Sequence, residues 1–238
     1  DNDSFKFLIN CQNPSSPPLN SLLGKGGHRG VKNNVDTDEN FTDYCIKEGI
    51  LTTDSISLKR PPVIKSPKPS LRYLELQITD RCNLGCRHCY IGQRKDKELS
   101  LSRIRKVLGE FEKMQGLRVL ITGGEPLLHG RFEEINEILQ QFFIRKILFT
   151  NGLLLSKKIL KNLNVDEIQI SIDGLENAHD SLRGKGTFKK TIEAVKSAIE
   201  TGCEISISTM VHPLNLGDFD EMEALFKGLG IKDWTVDV

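Results

Sequence analysis

Charge of one sign is not in excess: 33 Lys and Arg stand against 32 Asp and Glu, a formal net charge of +1 over 238 residues. That balance excludes the broad basic footprint with which a chain covers nucleic acid or an anionic membrane surface. Long apolar runs are missing too. None approaches the ~20 residues of a bilayer-crossing helix, and the opening "DNDSFKFLINCQNPSSPP" lacks the basic start and continuous apolar stretch of a secretion signal. We therefore expect a cytoplasmic protein with no nucleic-acid and no membrane partner. Cysteine is scarce, with six residues, and Cys11, Cys45 and Cys203 are scattered as reduced thiols, which excludes a disulfide framework.

What is present divides in two. Residues 1–70 hold seven of the nine prolines and little apolar periodicity, which predicts an extended leader ending in the stiff run "PPVIKSPKPS". Within it, "NFTDYCIKEGIL" at 40–51 has the pattern of a short helix and a turn, the seed of a small helical module. "GKGGHRG" at 24–30 has no preceding strand and no closing K-[ST], so it is a flexible basic loop and not a phosphate cradle. The domain boundary is expected at 61–70. The chain opens on Asp rather than Met, and "KDWTVDV" stops inside a strand pattern, so residues 71–238 are expected to be a domain truncated at its C-terminus.

From Leu71 strand and helix patterns alternate. "LRYLELQI" places Leu74, Leu76 and Ile78 on one face, and "SLSRIRKVLGEFEKMQG" carries apolar residues at helical spacing between the N-cap Ser100 and the stop Gly116. Strands follow at 117–121, 145–149, 166–172, 204–211 and in "WTVDV", with helices near 131–143, 156–162, 187–201 and 218–228. Such alternation predicts a parallel α/β sheet. Six strands fall short of an eightfold barrel of ~250 residues. A partial, open (β/α)6 barrel is expected, with a doubly wound sheet as its competitor.

Three successive strands end in a small hydroxyl residue or its neighbour and then glycine: "VLITGG", "ILFTNG" and "IQISIDG". The carboxyl ends of parallel strands form the ligand face, and glycine there admits close approach. On the same face lies "TDRCNLGCRHCY", with Cys82, Cys86 and Cys89 in eight positions. Three thiolates converging from one loop repel one another unless a cation holds them. Two readings stand: zinc closed by His88 as fourth ligand, or a cluster of four irons held by three cysteines with one iron open.

C-x-x-x-C-x-x-C after the first strand, "TGGEP" after the second, "TNG" after the third and "SIDG" on the fourth together resemble the radical S-adenosylmethionine (radical SAM) enzymes. "HDSLRG" followed by "GTFKKTIEAVKSAIETG" is similar to the peptide- and cofactor-maturing branch that carries a C-terminal SPASM cluster domain, a domain expected to be absent from residues 71–238. The resemblance implies a 4Fe-4S cluster on Cys82, Cys86 and Cys89, with S-adenosyl-L-methionine on its open iron. It implies that Gly123, Gly124 and Glu125 meet the cofactor's amino group and that the backbone at His88 meets its adenine. Thr150, Asn151 and Ser171 would reach the ribose or methionine part, and Arg183 would salt-link the carboxylate or be a surface residue. Met210 packs on the adenine or fills the core, Tyr90 lines a substrate entrance, and Asp173 serves the following turn. Implied as well are an external electron donor such as flavodoxin or ferredoxin, and a 5′-deoxyadenosyl radical that abstracts hydrogen from a peptide or small-molecule cofactor precursor, with no catalytic acid or base assigned. The rival readings are a zinc-binding module and an inactive cofactor- or peptide-binding scaffold.

Overall fold

A computed structural model describes residues 71–237 of the chain. The helix expected at 40–51 and the linker at 61–70 lie outside the described residues. Six strands run β1 (Tyr73–Thr79), β2 (Arg118–Gly123), β3 (Arg145–Thr150), β4 (Glu167–Ser171), β5 (Glu204–Met210) and β6 (Asp233–Asp237). They form one sheet in the order β1-β2-β3-β4-β5-β6, and every neighbouring pair is parallel. A doubly wound sheet would reverse its order at a switch point. This order never reverses, and among the described residues β1 and β6 remain edges, as a partial open barrel requires.

The crossovers are helical: α1 (Leu101–Lys113), a 3-10 turn at Pro126–Leu128 followed by α2 (Phe132–Leu139), α3 (Lys157–Asn162), α4 (Glu176–Arg183) with α5 (Thr187–Glu200), and α6 (Phe219–Gly228). Ser100 caps α1 as expected, its hydroxyl accepting from Arg103 N at 3.4 Å. The expected glycine stop falls one residue early. Gln115 takes the positive φ of 60°, while a Cβ on Gly116 would stand 2.3 Å from the Phe111 ring, so Gly116 is needed for packing. Helix α4 went unread in the sequence because only Ala178, His179 and Leu182 of its eight residues are buried, too few to mark a stripe.

Parallel strands buried on both faces are apolar throughout. These alternate instead. Ile168 and Ile170 of β4, with Ile205 and Ile207 of β5, pack under α5 and α6, and Leu76, Ile78, Val119 and Ile121 pack under α1 and α2. The opposite parity, including Gln169, Ser171, Ser206 and Ser208, lines a cavity of about 760 Å³. Period-two alternation thus divides the sheet into a covered face and an open face. Trp234 fastens the last strand, stacking on Phe219 at 5.5 Å and donating from Nε1 to Thr209 Oγ1 at 2.8 Å. No helix among the described residues is long and apolar enough to cross a membrane.

Candidate functional site

The cavity runs along the open face of the sheet, from Arg118, Arg145, Glu167 and Glu204 at the strand starts to the carboxyl end, where β1 hands over to the cysteine loop. That loop closes on its own start. Both oxygens of Asp80 are used, Oδ2 accepting from Lys95 N at 2.9 Å and Oδ1 from Lys97 N at 2.7 Å, and Thr79 forms an antiparallel bridge with Glu98. Arg94 Nη1 donates to Cys82 O at 3.1 Å, and Arg87 N donates to Leu182 O at 2.9 Å, which joins the loop to the end of α4. Cys82, Cys86 and Cys89 are partly buried, unpaired thiols that all line the cavity. Burial pushes the Cys82 and Cys86 thiols up, opposed by Leu84 N and Arg94 at Cys82 and by Arg183 at Cys86. A metal centre arriving here would have to supply the charge that keeps them thiolate.

Gly123 and Gly124 form the adjoining wall. A Cβ on Gly123 would lie 2.4 Å from Thr79 O, and one on Gly124 would lie 2.3 Å from Arg81 O. Gly124 N donates to Thr79 O at 2.8 Å and Glu125 N to Arg81 O at 2.7 Å. The two glycines therefore let the first residues of the cysteine loop lie against the end of β2. The β1–β2 register slips between Gln77 and Thr79, where the two backbones converge.

Glu125 stands behind the two glycines. It is wholly buried and does not line the cavity. Its carboxyl accepts from Thr150 Oγ1 at 2.8 Å, Asn151 N at 2.9 Å and Leu127 N at 3.2 Å, stapling the end of β3 to the end of β2. Burial pushes this carboxyl up to about 7, against the pull of those three donors. Thr150 and Asn151 do reach the cavity. Asn151 Nδ2 donates to Asn83 Oδ1 at 2.8 Å, so β3 also steadies the cysteine loop.

On the far side stands a residue that the sequence reading left out. Asp173 is wholly buried; Oδ1 accepts from Met210 N at 2.9 Å, and Oδ2 accepts from Arg183 Nε at 2.5 Å. His88 Nε2 lies 3.2 Å from the same Oδ2. One carboxylate thus gathers the cysteine loop, α4 and the end of β5. The signal was available: the parity that turns Ser171 inward turns the residue two steps on the same way. Ser171, Met210, His88 and Arg183 all line the cavity, and the Arg183 side chain is largely buried.

The donor set can be tested against the expected group. Among the described residues, no three His, Cys, Asp or Glu side chains are grouped to hold a single metal ion. Cys203, the other described cysteine, precedes β5 at the opposite end of the sheet. Three thiols around one cavity, with no neighbouring fourth among the described residues, match a cluster that each cysteine grips at a separate iron better than a closed tetrahedral zinc site. His88 Nδ1 is buried in the wall with no hydrogen-bond partner among the described residues, a position that a bound ligand can satisfy. The residues fit a cluster with a polar organic ligand beside it.

Comparison with known proteins agrees. The family model described as the Radical SAM superfamily matches residues 76–226. The mycofactocin maturase MftC of Mycolicibacterium smegmatis is 31% identical over 159 residues, covering 64% of this chain and 41% of that protein. The sporulation killing factor maturation protein SkfB of Bacillus subtilis is 31% identical over 153 residues, covering 62% and 37%. The chain thus spans less than half the length of these relatives. Streptococcus suis SuiB bound to S-adenosylmethionine superposes with a TM-score of 0.63 at 19% identity, over 70% of this chain and 40% of that one. SuiB bound to its precursor peptide SuiA gives 0.63 at 16% identity, over 98% and 51%.

Proposed function

The chain belongs to the radical SAM superfamily, and from that premise we propose that residues 71–238 form a radical SAM partial barrel that acts in peptide or cofactor maturation. The carrying observation is one of placement. Cys82, Cys86 and Cys89 line the same cavity as the Gly123–Gly124 wall, and the loop bearing the thiols is bonded through its backbone to that wall. Three protein ligands would leave a fourth iron open.

Cys82, Cys86 and Cys89 would hold a 4Fe-4S cluster, and Gly123, Gly124, Thr150, Asn151, Ser171 and Arg183 would receive S-adenosyl-L-methionine. When bound, the cluster supplies one electron, drawn from a donor such as flavodoxin or ferredoxin, for reductive cleavage of that cofactor to methionine and a 5′-deoxyadenosyl radical that takes hydrogen from the substrate. The protein's own part is orientation and exclusion of water. Arg183 offers a fixed cation for the carboxylate, the strand-end carbonyls offer acceptors for the amino group, and the His88 segment closes the side toward the adenine. Glu125 contributes from behind the wall by holding Thr150 and Asn151 in register. No proton transfer is assigned to any residue.

The substrate space is the rest of the open face. There Leu120, Ile147 and Phe149 make an apolar strip beside the polar Gln169, Ser206 and Thr235. A peptide substrate suits a surface of mixed character, and the relatives named as maturases and the peptide-bound SuiB support that class. Anaerobic reconstitution with iron and sulfide, followed by reduction with S-adenosylmethionine present, tests the reading. About four irons per chain and formation of 5′-deoxyadenosine are expected. One zinc per chain and no nucleoside product would overturn it.

A further inference from the structure

Resting on that reading, we propose that Asp173 is the positioning residue of the cofactor-carboxylate site: it holds the Arg183 guanidinium side-on, leaving the terminal nitrogens to grip an anion. An arginine paired only for structure commonly engages a carboxylate through two parallel bonds. Arg183 does not. Its Nε alone donates to Asp173 Oδ2, at 2.5 Å, and among the described residues the guanidinium makes no other hydrogen bond. The side chain is 13% exposed, and Arg183 lines the same cavity as the three cysteines. Four of its five N–H donors are therefore uncommitted beside a space of about 760 Å³.

Asp173 can do this because it is itself immobilised. It is wholly buried, and its other oxygen is pinned by Met210 N at 2.9 Å. The Asp173 backbone is held too, its N–H donating to His179 Nδ1 at 3.1 Å and its carbonyl accepting from Asn215 Nδ2 at 3.3 Å. His88, next to Cys89, reaches the same Oδ2 at 3.2 Å. The residue that aims the arginine thus also fixes it relative to the cysteine loop. A ligand chelated at the cluster and held by its carboxylate at Arg183 needs that separation to be constant.

The prediction is selective. In the cluster-loaded full chain, Asp173→Asn should weaken equilibrium binding of S-adenosylmethionine by about tenfold or more, yet change binding of decarboxylated S-adenosylmethionine by less than about twofold. On an Arg183→Ala background, Asp173→Asn should add no further loss, because it acts through the arginine. Equal weakening of both ligands, or unchanged binding of both, would overturn the inference, the first by showing a general structural role. If the parent chain with a complete cluster binds neither ligand, the proposed function itself fails, and the inference with it. Should Asp173→Asn not load its cluster, Arg183→Lys carries the test. A lysine carries its donors on one nitrogen and cannot be held by Asp173 while presenting a planar two-donor edge to a second carboxylate, so the same carboxylate-selective loss is expected, and parental affinity for S-adenosylmethionine would refute the side-on arrangement.

Discussion

Gly124 stands so close to Arg81 that a methyl group on its Cα would lie 2.3 Å from the Arg81 carbonyl oxygen. Both partners are backbone, so neither can swing aside. The wall and the cysteine loop are thereby one unit, and disturbing the first should disturb the second.

Gly124→Ala should cost about 1–3 kcal/mol, as overpacking does, and should lower the iron retained after anaerobic reconstitution. Gly109 in α1 is the control. A Cβ there meets only Phe142 at 3.9 Å, so Gly109→Ala should stabilise the chain by about 0.5–1 kcal/mol through helix propensity and leave the iron content unchanged. Urea midpoints and iron assays check both; a Gly124→Ala chain with parental iron and stability would contradict the coupling.

Two buried groups should nearly cancel in the pH dependence of stability. Burial raises Glu125 from 4.5 to about 7, so between those values the folded chain keeps a proton that the unfolded chain has lost, and stability falls as pH rises through the window. Burial lowers His179 from 6.5 to about 4, so the unfolded chain takes up a proton that the folded chain refuses, and stability falls as pH drops from 6.5 toward 4. Glu125→Gln should leave the acid loss uncovered, and His179→Asn should leave the opposite slope. Denaturation of the cluster-free chains between these pH values reads the difference, and parallel profiles for all three would refute the assignments.

Asp180 is the cap that α5 lacks in its own sequence. Its carboxylate accepts from Gly186 N at 2.5 Å and Phe188 N at 2.9 Å, which fixes the turn between α4 and α5. Asp180→Ala should cost about 1–2 kcal/mol, toward the upper end for a capping carboxylate because two amides lose their acceptor. An unchanged urea midpoint would show that the turn holds without it.

The sheet was legible because its two faces differ. Leu74, Leu76 and Ile78 alternate with polar neighbours, and the same alternation in the other strands gave their number and sense. The cysteines and the strand-end glycines were legible because chemistry restricts what such residues do. Glu125 was not, since its partners Thr150 and Asn151 come from another strand and turn it away from the cavity. Asp173 and α4 were missed for a related reason. An acid two steps past Ser171 looks like turn chemistry until Arg183 and His88 are brought to it by elements far apart in sequence. Likewise the glycines were expected to admit a ligand, whereas the nearest intruder is the chain's own backbone at Thr79 and Arg81.

Removing any one of Cys82, Cys86 or Cys89 by substitution with alanine should abolish stable cluster retention, whereas Cys203→Ala should not, because Cys203 does not line the cavity and precedes β5, at the other end of the sheet from the cysteine loop. Iron and sulfide per chain after desalting decide this. Retention of a full cluster in Cys86→Ala would show that the three thiols do not act together.

If Cys82, Cys86 and Cys89 hold a cluster with one iron corner open, the methionine end of S-adenosylmethionine should occupy that corner. Electron paramagnetic resonance of the reduced, reconstituted chain addresses that corner directly. The spectrum should change shape when S-adenosylmethionine is added and should stay unchanged with methylthioadenosine, which lacks the chelating amino acid. A cluster signal that saturating S-adenosylmethionine leaves unaltered would contradict the account.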